Sequence, residues 1–531
     1  MLFTSLEFIL FILGVFVLYY IVPKRFQWKL LLIANVFFYA CAGIGGMVFM
    51  GVTIVTSYAA TVCMDRLQKK ADNCIQSQKG IWTKEERKAY KKQVKKRKRN
   101  ILLDCLFINI GILAILKYTN FAIANINGIA AAFTGNGVLA YTDFVLPLGI
   151  SFYTFQTMGY VIDVYRGKAE AERNIFKMAL FVSFFPQLIQ GPISRFGELK
   201  ETLYKEHNFV FKNVLFGVER ILWGYFKKLV IADRILVAVN TIIGQPSEYY
   251  GFYVFLGMIF YAVELYADFT GGIDITIGIA QVLGINLTEN FERPYFSKSI
   301  AEYWRRWHIT MGAWFRDYIY YPMSASVPVM KLSTFTRKHF GEAVGRRLPV
   351  YLVMFTVWFA TGIWHGASWN FIVWGLLNCT VILISQECRP LYEKFHAKFP
   401  KLKDKCGYKC FQIIRTILLM SVLRLLDCYR NVPMTFCMFS TMFTRFNIGS
   451  VLGGGLLTLG ITVYDYAVVG LGVMLLFMVS MLQRKGSVRE RLYEKSVVVQ
   501  YFAVLFLLVA IIIFGAYGIG YDANQFIYNQ F

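Results

Sequence analysis

The sequence predicts an all-α, polytopic membrane protein. Of its 531 residues, 57% are hydrophobic and 17% are charged, whereas a soluble domain of this length needs far more polar surface. The apolar runs at 2–22, 456–482 and 497–517 are as long as the roughly 20 residues that cross a bilayer as a helix, or longer. These runs are continuous and do not alternate, which excludes a transmembrane β-barrel.

Three basic segments between the apolar runs predict the orientation of the chain. Residues 66–99 hold fourteen Lys or Arg against three acids, 387–410 hold seven against three, and 484–495 hold five against two. Short basic segments beside spans are typical of the cytoplasmic side, so 66–99 is expected to be a basic cytoplasmic loop and the N-terminus to lie outside. No aromatic-interleaved module accompanies the net charge of +24, so no nucleic-acid partner is expected.

The apolar segments follow one another along the chain. The first lacks a basic n-region and is expected to remain as a span rather than to be cleaved. A hairpin follows through 29–41 and 47–64, with a turn at CAGIGG. Some later segments are interrupted by Gly and Pro, as in FPQLIQGPI, and are expected to be re-entrant. The later segments lie near 101–117, 143–162, 177–193, 209–240, 250–268, 272–287, 349–365, 370–386, 411–427, 456–482 and 497–520.

We therefore expect about 11–12 transmembrane helices with additional re-entrant or interfacial helices, in a single membrane domain over 1–531. No internal repeat is detectable, which weighs against the inverted-repeat transporters. The ten cysteines are scattered and match no established zinc spacing, so no metal site is expected.

Three polar clusters interrupt the apolar sequence, and the first is YAVELYADFTGGIDITIG. Glu264 and Asp268 are four residues apart and share a helix face, and Asp274 follows beyond two glycines. Ionisable groups at membrane depth are costly, so they usually have a partner or a task. These carboxylates either pair with arginines in a buried network or serve binding or catalysis.

The second cluster, 290–322, is too polar to span a membrane and too aromatic to be a free loop. It suits an amphipathic helix at the interface or a re-entrant helix. On a helix, Trp304 and His308 face one way, while Glu302 and Arg306 can pair on another face. An interfacial anchor explains the tryptophans and arginines but does not require His308.

The third cluster is TGIWHGASWN, 361–370, which contains one of only five histidines. On a continuous helix Thr361, His365 and Trp369 share a face, and Gly362 and Gly366 permit close approach of a helix or a substrate. A neutral imidazole can take a proton from a hydroxyl, which favours acyl or group transfer, because nucleophile-elbow, Walker and metal signatures are absent from the sequence. A histidine hydrogen-bonded in a bundle core is the alternative.

These clusters carry a resemblance to a known family. The strings ENFERPYFSKSIAEYWRRWHITMGAWFRDYIYYP and TGIWHGASWNFIVWGLLN resemble the membrane-bound O-acyltransferase (MBOAT) family, in the subgroup of the alginate O-acetylation membrane subunit and the teichoic-acid D-alanyl transferase. PLGISFYTFQTMGYVIDVYRG, FFPQLIQGPISR and ADFTGGIDITIGIA are similar to the same subgroup. The resemblance covers roughly 1–430, and residues 431–531 add only generic transmembrane helices.

The resemblance implies a ring of helices around a central tunnel, with His365 and His308 as the catalytic residues. A further set of residues is expected to bind the donor or to line the tunnel. We assign these as Trp304, Arg305, Arg306, Asp268, Asp274, Trp364 and Trp369.

The implied activity is transfer of acetyl groups from a cytoplasmic thioester, acetyl-CoA, to hydroxyls of an extracellular or cell-wall polysaccharide. It places the protein in a bacterial plasma membrane, with no tightly bound cofactor and with a separate extracytoplasmic, SGNH-like transferase as partner. Two alternatives stay open: D-alanyl transfer to teichoic acid from a carrier-protein thioester, and a non-catalytic transporter or scaffold.

Overall fold

The structure, a computed structural model, describes residues 3–517. The only β pairing in this part of the chain is an isolated bridge between Phe291 and Trp307, so the predicted all-α class is confirmed. The chain forms two compact units, one made of residues up to 215 with 279–287, and the other of 216–278 with those from 288 onward. Residue 2 and residues 518–520, at the ends of the first and last predicted spans, lie outside the described residues.

The first unit is built mainly from eight helices. The long helices α3 and α4 pack against each other and against α5, and α2 packs against α6. The helices are α1 (Leu6–Ile21), α2 (Gln27–Ala40), α3 (Ile44–Ser77), α4 (Lys84–Thr134), α5 (Ile150–Arg166), α6 (Ile175–Ser183), α7 (Phe185–Gln190) and α8 (Phe196–Leu203).

The basic segment 66–99 is not a loop, which corrects the prediction. Helix α3 continues to Ser77 and α4 begins at Lys84, so most of the basic residues lie on two helix ends joined by a short turn. Lys, Arg and Gln are good helix formers. Thr83 and Glu86 form a capping box, in which each side chain accepts a hydrogen bond from the other residue's backbone N–H, and this starts α4 within the basic stretch.

The second unit contains most of α9, all of α10, most of α11 and all helices after α11. π-helical stretches at Phe226–Ala232 and Arg316–Tyr320 join α9 to α10 and α13 to α14. The helices are α9 (Phe211–Tyr225), α10 (Asp233–Gly244), α11 (Phe252–Val282), α12 (Ile300–Arg306), α13 (Ile309–Phe315), α14 (Tyr321–Ser324), α15 (Val327–His365), α16 (Trp369–Glu387), α17 (Arg389–Lys398), α18 (Cys406–Tyr429), α19 (Val432–Thr444), α20 (Ile448–Leu452), α21 (Val463–Leu482), α22 (Val488–Tyr493) and α23 (Val497–Phe514).

Helix α11 replaces two predicted spans. The sequence predicted separate segments over 250–268 and 272–287, but one helix runs through Gly271 and Gly272. A Cβ on Gly271 would lie 2.9 Å from the carbonyl oxygen of Gly224 on α9, and a Cβ on Gly224 would lie 2.6 Å from that of Gly271. The glycines therefore serve close packing of two helices rather than a break in one.

Seven helices in the described part of the chain are long and apolar enough to cross a membrane, which agrees with a multi-pass membrane protein. They are α3, α4, α11, α15, α16, α21 with its following turn to Lys485, and α23. The shorter apolar helices α1 and α19 fall below this length. The predicted number of about 11–12 spans includes the segment of α1 but not that of α19, and it stays a prediction.

Candidate active site

Two glycines let α15 and α16 cross with their backbones in contact. A Cβ on Gly362 would lie 2.5 Å from the carbonyl oxygen of Phe371, and one on Gly375 would lie 2.5 Å from that of Trp358. A larger residue at either position would push the helices apart. The crossing confirms the predicted close helix approach at Gly362, and it fixes the end of α15, where His365 is the last residue.

His365 lies in an aromatic pocket and is 6% exposed. The centroid of its ring lies 4.8 Å from that of Trp374, 5.2 Å from that of Trp364, and 6.4 Å from that of Phe371. The ring of Phe371 also fills the space beside Gly366, where an added Cβ would lie 2.2 Å from it. The room beside Gly366 is therefore taken by the protein and is not open to a substrate.

Trp369 does not share a helix face with His365, which corrects the prediction. Helix α15 ends at His365, and Trp369 is the first residue of α16 after a break in the backbone. Trp369 is 56% exposed, and it does not line the cavity that borders His308.

His308 is held at a break between α12 and α13 by an uncommon backbone conformation. Its φ of 49° lies in the left-handed region, which residues other than glycine adopt rarely and often at functional sites. The backbone N–H of Glu292 donates to Arg306, and that of Ile309 donates to Asn290, so two extended segments pair beside the histidine. The single helix predicted across 290–322 is therefore wrong, because this pairing interrupts it.

Asn290 fixes the tautomer of His308. Asn290 Oδ1 accepts a hydrogen bond from the backbone N–H of Thr310 at 3.0 Å and lies 3.2 Å from His308 Nδ1. A backbone N–H is always a donor, so this position of the amide must be the oxygen and His308 Nδ1 must carry the proton. Neutral His308 then presents the lone pair of Nε2 as a hydrogen-bond acceptor.

His308 stays neutral at physiological pH. It lies outside the membrane-spanning helices and its side chain is completely buried. Burial disfavours the imidazolium, and the positive charge of Arg424 adds to this effect, so the pKa of His308 falls to about 3. His308 can therefore accept a hydrogen bond or proton through Nε2, but it does not supply a positive charge.

The two histidines contact the same tryptophan ring. The ring centroid of Trp364 lies 5.9 Å from that of His308 and 5.2 Å from that of His365. His308 lies in the wall of a cavity of about 240 Å³ with mostly apolar walls, which include Trp304, Met311, Trp358 and Thr361, whereas His365 is not among the lining residues. Apolar walls keep water out and strengthen the polar interactions that remain.

Arg424 on α18, which the sequence analysis missed, holds the tryptophans of this region together. Its guanidinium carbon lies 4.8 Å from the ring of Trp374, 5.4 Å from that of Trp307 and 5.7 Å from that of Trp304. Its charge is balanced by Asp427 at 2.5 Å. An Arg three residues before an Asp in the apolar segment 411–427 is the signal that identifies such a pair.

Asp268 and Asp274 form buried ion pairs and do not line the histidine cavity. Asp268 lies 2.6 Å from Lys228 Nζ, while Asp274 lies 2.8 Å from Arg220 Nε and 2.5 Å from Lys227 Nζ. For Asp268 and Asp274, the geometry supports the ion-pair network of the two readings that the sequence left open, with lysines as well as an arginine as partners.

The other predicted residues divide between the cavity and the surface. Trp304 lines the cavity and Trp364 contacts both histidines. Arg305 is exposed, and Arg306 makes the predicted pair with Glu302 at 2.7 Å. Within residues 3–517, no group of three or more His, Cys, Asp or Glu side chains is arranged to hold a metal ion.

Comparisons with known proteins identify the family of the chain. The sequence model of the membrane-bound O-acyltransferase family matches residues 171–426, a range that contains both histidines. A probable alginate O-acetylase of Azotobacter vinelandii is 31% identical over 390 residues, which are 73% of this chain and 69% of that protein. A probable alginate O-acetylase of Pseudomonas syringae pv. tomato is 33% identical over 379 residues, which are 71% of this chain and 64% of that protein, just under two thirds of its length.

A more distant similarity links the chain to the other branch of the predicted subgroup. A teichoic acid D-alanyltransferase of Bacillus subtilis is 27% identical over 267 residues, which are 48% of this chain and 61% of that protein.

Proposed function

Because the chain belongs to the membrane-bound O-acyltransferase family, we propose that it moves acetyl groups from a thioester donor to hydroxyls of an extracellular or cell-wall polysaccharide. The observation that carries this proposal is the pair of buried histidines on one tryptophan ring beside an apolar cavity. The higher identity to proteins named alginate O-acetylases favours acetyl over D-alanyl as the group transferred.

His365 is the general base in the proposed reaction. It takes the proton of the acceptor hydroxyl, and the oxygen attacks the carbonyl carbon of the thioester. The new C–O bond forms as the C–S bond breaks, and the leaving thiolate receives the proton from the imidazolium of His365. A water-poor pocket suits this step because it limits competing hydrolysis of the thioester.

His308 orients a reactant rather than stabilising an oxyanion. Its Nε2 is an acceptor, since Asn290 holds the proton on Nδ1, and an oxyanion needs a donor. The acceptor hydroxyl is a group that can donate to Nε2. In this proposal His308 is a second hydrogen-bond site for the substrate alcohol, and the ring of Trp364 lies between it and the base.

The direction of transfer follows from the charge distribution. The positive-inside rule puts the basic ends of α3 and α4 in the cytoplasm, with the N-terminus outside. Acetyl-CoA is a cytoplasmic thioester, so the donor approaches from the cytoplasmic side. The acetyl group then passes to the polysaccharide directly or through a separate SGNH-like transferase in the extracytoplasmic space. The location is a bacterial plasma membrane.

A test uses purified full-length protein in liposomes with radiolabelled acetyl-CoA and a hydroxylated polysaccharide. His365→Ala should lower acetyl transfer by about 10²- to 10⁴-fold, the usual contribution of a general base. His339→Ala is the matched control, because His339 is exposed on α15 outside the pocket, and its activity should equal that of the wild type.

Wild-type transfer by folded His365→Ala protein would refute the enzymatic role and favour a transporter or scaffold. Transfer from a D-alanyl carrier-protein thioester, without transfer from acetyl-CoA, would assign the protein to the other branch.

A further inference from the structure

A second cavity in the same unit has charged and polar walls. It lies beside α9, α11 and the segment that follows α11. Its lining includes Arg220, Lys227, Asp274, Glu289, Arg293 and Gln483. The histidine cavity shares none of these residues, and the reaction proposed above uses none of them.

The ion pairs in this cavity are unequal in exposure. Arg220 is 10% exposed in its side chain and Lys227 is 4% exposed, whereas Glu289 is 61% exposed. Both terminal nitrogens of Arg220 reach the two carboxylate oxygens of Glu289 at 2.6 Å. Asp274, whose side chain is 16% exposed, lies between the Arg220 Nε and Lys227 Nζ atoms and is held by both, while Glu289 lies at the solvent side of the pair.

The two terminal nitrogens of Arg220, which we call its fork, can bind a phosphate as well as a carboxylate. A guanidinium binds either group through two parallel hydrogen bonds, and a phosphate monoester carries more charge than a carboxylate. Without Glu289, three cations (Arg220, Lys227 and Arg293) face one carboxylate, which leaves a net charge of about +2 for a phosphate of about −2.

We propose that this cavity binds a phosphate group of the acyl donor, and that Glu289 occupies the place of that phosphate until the donor displaces it. This inference rests on the proposed function, in which the donor is acetyl-CoA. The cavity includes Gln483, the residue before the basic segment 484–495 that the positive-inside rule assigns to the cytoplasm, where such a donor is found.

The segment that follows α11 contacts the charged cavity and also a residue in the wall of the histidine cavity. Glu289 binds Arg220, and the next residue, Asn290, binds His308. Displacement of Glu289 by a phosphate therefore acts on the segment that positions His308. Donor binding and arrangement of the acceptor site are linked through two adjacent residues.

The test measures equilibrium binding of adenosine 3′,5′-bisphosphate, which carries phosphates but no thioester, to full-length protein in neutral detergent. Glu289→Gln removes the competing charge, so the affinity should rise about two- to fivefold, the value of a partly exposed ion pair. Glu292→Gln removes the same charge from the exposed surface of the same segment and should change affinity far less. Arg220→Lys keeps the charge, loses the fork, and should weaken binding about tenfold.

Unchanged or weaker binding by folded Glu289→Gln protein would overturn the proposal, because a purely structural ion pair gives that result. If Glu289→Gln raised the affinity for phosphatidylglycerol but not for the nucleotide, the donor assignment would be overturned in favour of a lipid headgroup. Measurement of nucleotide binding in a His365→Ala background separates the hypothesis of a phosphate site from the hypothesis of acetyl transfer. If, in that background, Glu289→Gln strengthens nucleotide binding and Arg220→Lys weakens it, the phosphate site is supported even though acetyl transfer is absent.

Discussion

Replacement of Asn290 by alanine should lower the turnover number without abolishing folding. The change removes one acceptor oxygen that serves His308 Nδ1, the Thr310 backbone N–H at 3.0 Å and the Thr310 hydroxyl at 2.9 Å. His308 then loses the hydrogen bond that keeps its proton on Nδ1. Its Nε2 is no longer held as an acceptor toward the substrate alcohol.

The magnitude follows from these contacts. A buried donor left without its partner costs about 1–3 kcal/mol. The His308 Nδ1–H and the Thr310 N–H are two such donors, whereas the Thr310 hydroxyl can rotate to another acceptor, so the stability falls by about 2–6 kcal/mol before the site relaxes. Loss of a residue that orients a histidine typically lowers activity by about 10- to 100-fold. We expect kcat to fall in this range and KM for the donor to change less than kcat, because Asn290 does not line the charged cavity and affects it only through the neighbouring Glu289.

The assay combines initial rates of acetyl transfer in liposomes with thermal unfolding in detergent. Asn286→Ala, an exposed asparagine on the loop after α11, is the control. Asn290→Asp keeps the acceptor oxygen but adds a negative charge, which favours the imidazolium and raises the pKa of His308. Its activity should therefore fall as the pH is lowered through that raised pKa, whereas the wild-type rate should not respond to His308 above about pH 4, since its pKa is about 3.

The reasoning is refuted if folded Asn290→Ala protein keeps kcat within about twofold of the wild type, or if Asn290→Asp shows the wild-type pH profile. The first result would mean that the tautomer of His308 is irrelevant to turnover. The second would mean that Asn290 does not control the protonation of His308.

Two further predictions concern stability. Gly362→Ala should lower stability by about 1–3 kcal/mol and shift the melting temperature down by several degrees, because its Cβ would lie 2.5 Å from the Phe371 carbonyl oxygen. Gly470→Ala on α21 is the control and should leave the melting temperature unchanged, because no atom outside the local backbone lies within 4 Å of its Cβ. Stability should fall as the pH is lowered from about 6.5 toward about 3, by up to about 1.4 kcal/mol per pH unit, because there the unfolded chain protonates His308 and the native protein does not. Melting curves of His308→Gln should lack this part of the decline, and an equal decline in that variant would contradict the assignment.

The local sequence around the two histidines predicted the residue types of the site better than its geometry. Trp304 and His308 do line one cavity, but not as neighbours on a regular helix, because α12 ends at Arg306 and Trp307 pairs with Phe291 before α13 begins. Trp369 was expected beside His365 only because a continuous helix was assumed, and the backbone break after His365 removes that relation. Helical periodicity cannot predict where long-range backbone pairing interrupts it.

Asn290 and Arg424 were not singled out for a related reason. Each acts on a residue far along the chain: Asn290 on His308, 18 positions later, and Arg424 on Trp307 and Trp374. No local spacing connects such pairs. The buried Arg220 fork to Glu289, 69 positions later, belongs to the same class.

The sequence by itself determined the all-α membrane class, the family and the two histidines, because these depend on apolar run length, composition and local strings of residues. Only the tertiary structure decided that the histidines share the ring of Trp364, that His308 presents Nε2 as an acceptor, and that Asp274 and Glu289 converge on Arg220. These features depend on distances between segments that are remote in the chain. Such distances are set by backbone contact at glycines and by pairing of buried charges, and neither is encoded in a periodic pattern.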